Sequence, residues 1–179
     1  KKSIWIKHFF CLLAFLIVGT FPAISIGNHY DFKLIGSQNG MPSIISCIYT
    51  EQKGFIWIGT AGGLNRYDGT EFHVYRHEPG NPCSLSTSWI NCLYITRDGR
   101  LFIGTEKGVN VYNAQKENFE RISAENDSRK LLGNLRIRCF CEDSKGYLWI
   151  GTLDGLIRFD RRNGLINFYK LNYYDRDKM

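Results

Sequence analysis

Apolar residues in this chain fall into short runs broken at regular intervals by glycine, aspartate and asparagine. Ile45 to Thr50, Phe55 to Gly59, Leu64 to Tyr67 and Phe72 to Tyr75 form a first group of four runs. Ile90 to Ile95, Leu101 to Gly104, Val109 to Tyr112 and Phe119 to Ile122 form a second. Ile137 to Glu142, Leu148 to Gly151, Leu156 to Phe159 and Ile166 to Tyr169 form a third. Each run has the length and the β-branched and aromatic content of a strand. The breaks have turn chemistry. Lys53-Gly54, Asp98-Gly99 and Lys145-Gly146 close the first hairpin of each group, and Gly63, Gly108 and Gly155 the second. Asp68-Gly69 and Asn163-Gly164 close the third hairpin in the outer two groups. Connections this short force neighbouring strands to run antiparallel, so each group is a four-stranded meander.

The groups are copies of one another. Gly54-Phe55-Ile56-Trp57-Ile58-Gly59-Thr60 recurs as Gly99-Arg100-Leu101-Phe102-Ile103-Gly104-Thr105 and as Gly146-Tyr147-Leu148-Trp149-Ile150-Gly151-Thr152, at spacings of 45 and 47 residues. A period near this length with a Gly-aromatic signature marks stacked four-stranded units and predicts a β-propeller. The fold class expected is therefore all-β: a partial propeller of three four-stranded antiparallel blades, at residues 44–76, 89–123 and 136–170. Phe32-Lys33-Leu34-Ile35, within residues 31–36, resembles a lone fourth strand, of the kind that completes a last blade as an N-terminal closing strand. Residues 171–179 read as a truncated link to a further blade.

Alternation explains the repeated phrase. Phe55 and Trp57 share one strand face and Ile56 and Ile58 the other, and both faces are apolar because a blade is covered on both sides. Trp57 and Trp149 are expected between blades, with Phe102 as the smaller equivalent. Gly59, Gly104 and Gly151 lack a Cβ and would admit another backbone or ring, while Gly63, Gly108 and Gly155 serve the turn. Thr60, Thr105 and Thr152 complete the repeated set, which is read as structural. The alternative is that the aromatic members face a ligand. A blade face of four strands covers roughly 300 Å², so each uncovered end would forgo on the order of 8 kcal/mol. Such a chain alone is expected to be marginal, or to associate through its end faces.

Composition refines this picture in three places. Lys1, Lys2 and Lys7 precede an apolar run from Phe9 to Val18 and the small-residue pair flanking Ile24, so residues 1–25 read as an export signal. An uncleaved anchor is the alternative, since Phe9 to Ile26 spans 18 residues. The formal charge of +6 owes half its excess to that leader; without it 20 basic residues face 17 acidic ones, and no nucleic-acid-type basic run remains. Arg161-Arg162 and Arg136-x-Arg138 read as solvated faces. Cys47, Cys92 and Cys139 each lie seven residues before the repeated glycine, so they occupy one position in three blades. Sheets packed ~10 Å apart are too distant for these to form disulfides, and they read as small buried hydrophobes.

The phrase, the Gly63-Leu64-Asn65-Arg66-Tyr67-Asp68-Gly69 stretch and the Asn81-Pro82-Cys83-Ser84-Leu85-Ser86 link closely resemble the two-component regulator propeller repeat over about residues 31–170. Unit two departs from that pattern at Phe102, at Val109-Asn110-Val111-Tyr112 and at Ile95-Thr96, where acidic residues are usual. The resemblance implies the N-terminal periplasmic sensor part of a hybrid histidine kinase and response regulator. The parent would be anchored in the inner membrane and dimeric, and would respond to glycan breakdown products. Its partners would be the remaining blades of the parent chain and an oligosaccharide, with no cofactor and no nucleic acid in this region. No catalytic residue and no metal site is expected here. His73 and His77 read as an exposed pair, and Asp68, Asp154 and Asp160 as turn residues. Tyr173-Tyr174 could stack on a sugar or belong to a link. A secreted propeller enzyme, a lyase or glycosidase, and a structural or adhesive propeller remain the alternatives, because a fold alone does not select a function.

Overall fold

A computed structural model describes residues 44–51, 54–122, 133 and 135–170. The leader, the 31–36 strand, the 171–179 link and Tyr173-Tyr174 lie outside the described residues. Twelve strands are present among the described residues. The first sheet holds β1 (Ile45–Thr50), β2 (Ile56–Thr60), β3 (Gly63–Tyr67) and β4 (Phe72–Tyr75). The second holds β5 (Ile90–Ile95), β6 (Leu101–Thr105), β7 (Gly108–Asn113) and β8 (Asn118–Arg121). The third holds β9 (Ile137–Glu142), β10 (Leu148–Thr152), β11 (Gly155–Phe159) and β12 (Ile166–Lys170). Strand order within each sheet follows the chain and every pairing is antiparallel. These are three propeller blades, and no helix occurs among the described residues.

Blades meet through their first strands, β1 against β5 and β5 against β9. Two apolar cores result, one per junction. Trp57, Leu64 and Tyr75 of blade 1 pack on Ile90, Leu101, Ile103 and Phe119 of blade 2, with Leu85 of the link plugging the seam. Phe102, Val109 and Val111 of blade 2 pack on Ile137, Leu148, Ile150, Ile157 and Phe159 of blade 3. Alternation along each strand sends one set of side chains to each neighbour, so blade 2 is covered on both faces.

A β-bulge recurs at the start of every first strand. Ile45 pairs with Thr60 and Cys47 with Gly59, leaving Ser46 out of the register. Asn91 and Arg138 occupy the same unpaired position in blades 2 and 3. A bulge re-aims the side chain it carries. Ser46 Oγ donates to the Ile90 carbonyl at 2.6 Å, and Asn91 Nδ2 donates to the Ile137 carbonyl at 2.9 Å. The bulges of blades 1 and 2 thus each hydrogen-bond the next blade's first strand.

Candidate functional site

The repeated motif residues divide into two structural tasks. Thr60 Oγ1 donates to the Gly63 carbonyl and accepts from the Gly62 amide. Thr105 does the same with Gly108 and Lys107, and Thr152 with Gly155 and Asp154. Each threonine closes its own second hairpin. Gly63 sits at φ 141°, with the Tyr75 carbonyl where a side chain would begin. The second task belongs to Gly59, Gly104 and Gly151. The nearest group to the missing Cβ is the thiol of the cross-strand cysteine, Cys47, Cys92 or Cys139, joined at Gly59 by Ile90 and at Gly104 by Ile137 and the expected ring edge, that of Phe140. Burial pushes the Cys92 thiol up to about 12, helped by the neighbouring thiols of Cys47 and Cys139. All five cysteines of the described residues are free. Cys139 is exposed, contrary to the expectation of a buried hydrophobe, because the face of blade 3 that carries it has no described blade against it.

Trp57 and Phe102 are buried in the first and second junctions, whereas Trp149, at the equivalent place on blade 3, is half-buried. The indole N–H of Trp57 donates to Glu51 at 3.1 Å, and that of Trp149 to Asp143 at 2.8 Å. Phe102 has no such donor, and Thr96 stands where the other blades have the acid. Across the next strand pair, Trp57 faces Arg66 and Trp149 faces Arg158, while Phe102 faces Val111. The departures of unit two are therefore one coordinated exchange: acid, tryptophan and arginine give way together to threonine, phenylalanine and valine.

Arg66 ties blade 1 to blade 2. Its guanidinium lies 5.0 Å from the Phe55 ring centre, donates to the Tyr112 hydroxyl at 3.0 Å and makes two 3.1 Å bonds to Glu117. Glu117 holds φ 49°, at a turn where the other blades use Gly69 and Gly164. Blade 2 is tied to blade 3 by a different arginine. Arg161 donates to Asp98 at 2.5 Å and to Glu142 at 2.6 Å, and the second oxygen of Glu142 accepts the Arg97 amide at 2.9 Å. The side chains of Arg161 and Glu142 are only 13% and 2% exposed. Arg161 is thus a largely covered inter-blade tie, correcting its reading as part of a solvated face. Arg162 is exposed and pairs with Asp160, and Arg136 pairs with Glu106.

A cleft of about 610 Å³ opens between blades 1 and 2 beside the second tie. Tyr49, Glu51, Tyr94, Arg97 and Asp98 line it. Burial pushes the Tyr94 phenol up, so it stays a neutral donor. Burial opposes the charge on Asp98, but the Thr96 hydroxyl and Arg161 hold its carboxyl below the usual carboxylate range. Two half-buried aromatic rings beside a fixed carboxylate and an exposed guanidinium suit noncovalent capture of a polar, hydroxyl-rich molecule. Sequence reasoning had placed Asp98 in a turn and missed this grouping, because its members come from two blades. His77 is half-buried, with Nδ1 2.7 Å from the Leu85 carbonyl, rather than half of an exposed pair. The link is held by Arg121, which donates to the carbonyls of Asn81, Ser84 and Leu85.

Comparison with known proteins places these repeats. The two-component regulator propeller model matches residues 84–107 and 130–154. Over 75 residues the chain is 33% identical to histidine kinase P4 of Formosa agariphila, a match covering 40% of this chain and 6% of that protein. Among solved structures, the extracellular domain of a hybrid two-component system from B. thetaiotaomicron superposes with a TM-score of 0.68 at 24% identity, over 77% of this chain and 20% of that one. Virginiamycin B lyase from Staphylococcus aureus superposes with a TM-score of 0.51 at 17% identity, over 72% of this chain and 41% of that one. Both structures share the fold, and the chain spans well under half the length of each relative. The two-component regulator propeller repeat is thus matched in two places, on a structure whose three blades share one pattern.

Proposed function

We propose that this chain is the ligand-sensing, propeller-forming part of a hybrid two-component signalling protein. It acts outside the cytoplasm and binds an oligosaccharide released from a degraded glycan. Its own role is binding, and the kinase chemistry belongs to other parts of the parent. The observation that carries the reading is the match to the two-component regulator propeller repeat; the Tyr49, Tyr94 and Asp98 cleft supports a sugar as ligand. A ligand acts as a signal only through the difference in its affinity for two states, so the cleft must change between them. Its position between blades suits it to that, since any shift of blade 1 against blade 2 alters its width.

Thermal melts of the parent's extracellular region with a panel of glycan digests test the reading. A cognate fragment at 100 times its dissociation constant stabilises the folded state by about 2.7 kcal/mol. The melt should therefore rise with one digest, and Tyr94→Ala should remove the rise, whereas Asp98→Ala, which also breaks the tie to Arg161, should in addition lower the ligand-free melt. Silence across the panel refutes the sugar, and catalytic turnover of a fragment would favour the secreted-enzyme alternative.

A further inference from the structure

A second cavity, of about 250 Å³, adjoins the cleft between blades 1 and 2. Phe55, Trp57 and Arg66 wall it on the blade 1 side, and Leu101, Tyr112 and Ala114 on the blade 2 side. Glu51, Ile95 and Gly99 line both spaces, so the two are compartments of one groove. The passage between them is open at Gly99, where an added Cβ would meet nothing within 4 Å. The Glu51 carboxylate stands at the boundary, and the Trp57 indole N–H donates to it at 3.1 Å. The first compartment takes its walls from β1, β5 and the turn after β5, and the second reaches outward to β3 and β7. Two strand spacings extend the groove by about 10 Å, room for two linked sugar rings.

The next junction shows why the outer compartment is open. Blade 3 follows blade 2 at a constant offset of 47 residues, which sets Glu142 and Arg161 at the places of Ile95 and Ala114. Between blades 2 and 3, Arg161 crosses the seam to Asp98 and bonds Glu142. Between blades 1 and 2, a methyl group and an isoleucine stand at those places and leave the space. The turn does not require alanine, since blade 3 builds it with arginine. The compartment therefore belongs to one junction and is no by-product of the repeat. Its walls combine the rings of Phe55, Trp57 and Tyr112 with two fixed charged groups, Glu51 and Arg66. Such walls suit a sugar ring, which presents apolar C–H faces and hydroxyls around its edge.

We propose that the outer compartment is a second subsite, and that the molecule held between blades 1 and 2 is an extended oligosaccharide of two or more linked units. It lies with one unit by Tyr49 and Tyr94 and runs outward past Glu51 to Phe55 and Tyr112. Resting on the sugar-binding reading of the cleft, the second subsite adds the length and the direction of the ligand. A single sugar fills one compartment. Linked units engage both, and the second contact then forms without a second loss of translational freedom. Chain length is thereby what the groove selects.

Calorimetric titration of the full-length parent with size-sorted pools of each glycan digest, from single sugars to hexasaccharides, tests the second subsite. In the series that binds, affinity should rise about tenfold or more from the shortest fragments bound to the longer ones. Ala114→Arg puts into this junction the side chain that blade 3 carries at the same place. It should abolish that rise, while the affinity of the shortest fragments and the ligand-free melt stay near those of the unaltered protein. Ala114→Ser keeps the space open and should retain the rise. Tyr94→Ala should weaken every pool. Affinity independent of length, a rise that survives Ala114→Arg, or an equal loss for short and long fragments overturns the second subsite and leaves the sugar reading standing. Binding by no pool refutes the sugar reading itself, and the subsite with it.

Discussion

The pairing of each repeat glycine with a cysteine can be tested against the blade that follows it. A Cβ on Gly104 would lie 2.7 Å from Ile137 Cγ2 and 3.0 Å from Phe140 Cε2, and would overlap the Cys92 sulfur. A Cβ on Gly151 would meet the Cys139 sulfur alone at close range, its next neighbour being the Cys139 carbonyl at 3.9 Å. Neither glycine has a left-handed backbone, so the cost of alanine is steric. Gly104→Ala forces a packed seam apart and should cost about 2–3 kcal/mol, whereas at Gly151 the exposed thiol can rotate away and the cost should stay near about 1 kcal/mol or less. For a domain of this size the larger loss lowers the melt by about 5–10 °C. Cys139→Ala should rescue Gly151→Ala completely. Cys92→Ala should rescue Gly104→Ala only in part, with a coupling of about 1 kcal/mol, because Ile137 remains in the way. Calorimetry reads both cycles. Equal losses at the two glycines, or no coupling to either cysteine, would refute the packing argument.

The thiols should also label in a set order. Cys139, Cys141 and Cys83 are exposed, while Cys92 is half-buried with its pKa pushed up by burial, so alkylation near neutral pH followed by mass spectrometry should modify Cys92 after those three. The Asp98–Arg161 tie predicts an acid effect. The Asp98 carboxyl is held below its ordinary value in the folded chain, so its contribution is complete above the unfolded value near ~3.9 and is lost as pH falls through the lower folded one. Melts followed from about pH 6 to pH 2 should therefore drop less steeply in Asp98→Asn than in the unaltered chain, and an unchanged slope would contradict the tie.

Much of the fold was legible because its physics is local. A blade covered on both faces needs apolar residues at successive positions, and its hairpins need glycine or an Asx residue at the turn. Strands drawn from those rules differ from the observed ones by a residue or so at their ends. Gly63, Gly108 and Gly155 belong to strands rather than turns, since Gly63 and Gly108 pair with Thr60 and Thr105 while Gly155 pairs with Lys170. The bulges at Ser46, Asn91 and Arg138 were not legible, because three unlike side chains share the position and only the register defines it. Arg161 was misread for a related reason. Its partner Asp98 lies 63 residues away on another blade, and a doublet of arginines carries no local sign of which member turns inward.

The unit-two departures show how far repetition can be pushed as evidence. Taken one at a time, Thr96, Phe102 and Val111 look like drift. The structure joins the first two: a buried indole N–H needs an acceptor, which Glu51 supplies to Trp57, and a phenyl ring at 102 removes that need. The arginine opposite the indole serves another purpose, since Arg66 bonds Tyr112 and Glu117 of blade 2. Blade 2 is also the blade whose outer turn carries Glu117 at an unfavourable φ, reaching back to the arginine that blade 1 has kept. The charged ties therefore sit where neighbouring blades differ, while the threonine, glycine and cysteine positions, which serve every blade alike, do not vary. That division leaves the ties between blades, and the cleft beside them, as the part of this propeller that the repeat does not constrain.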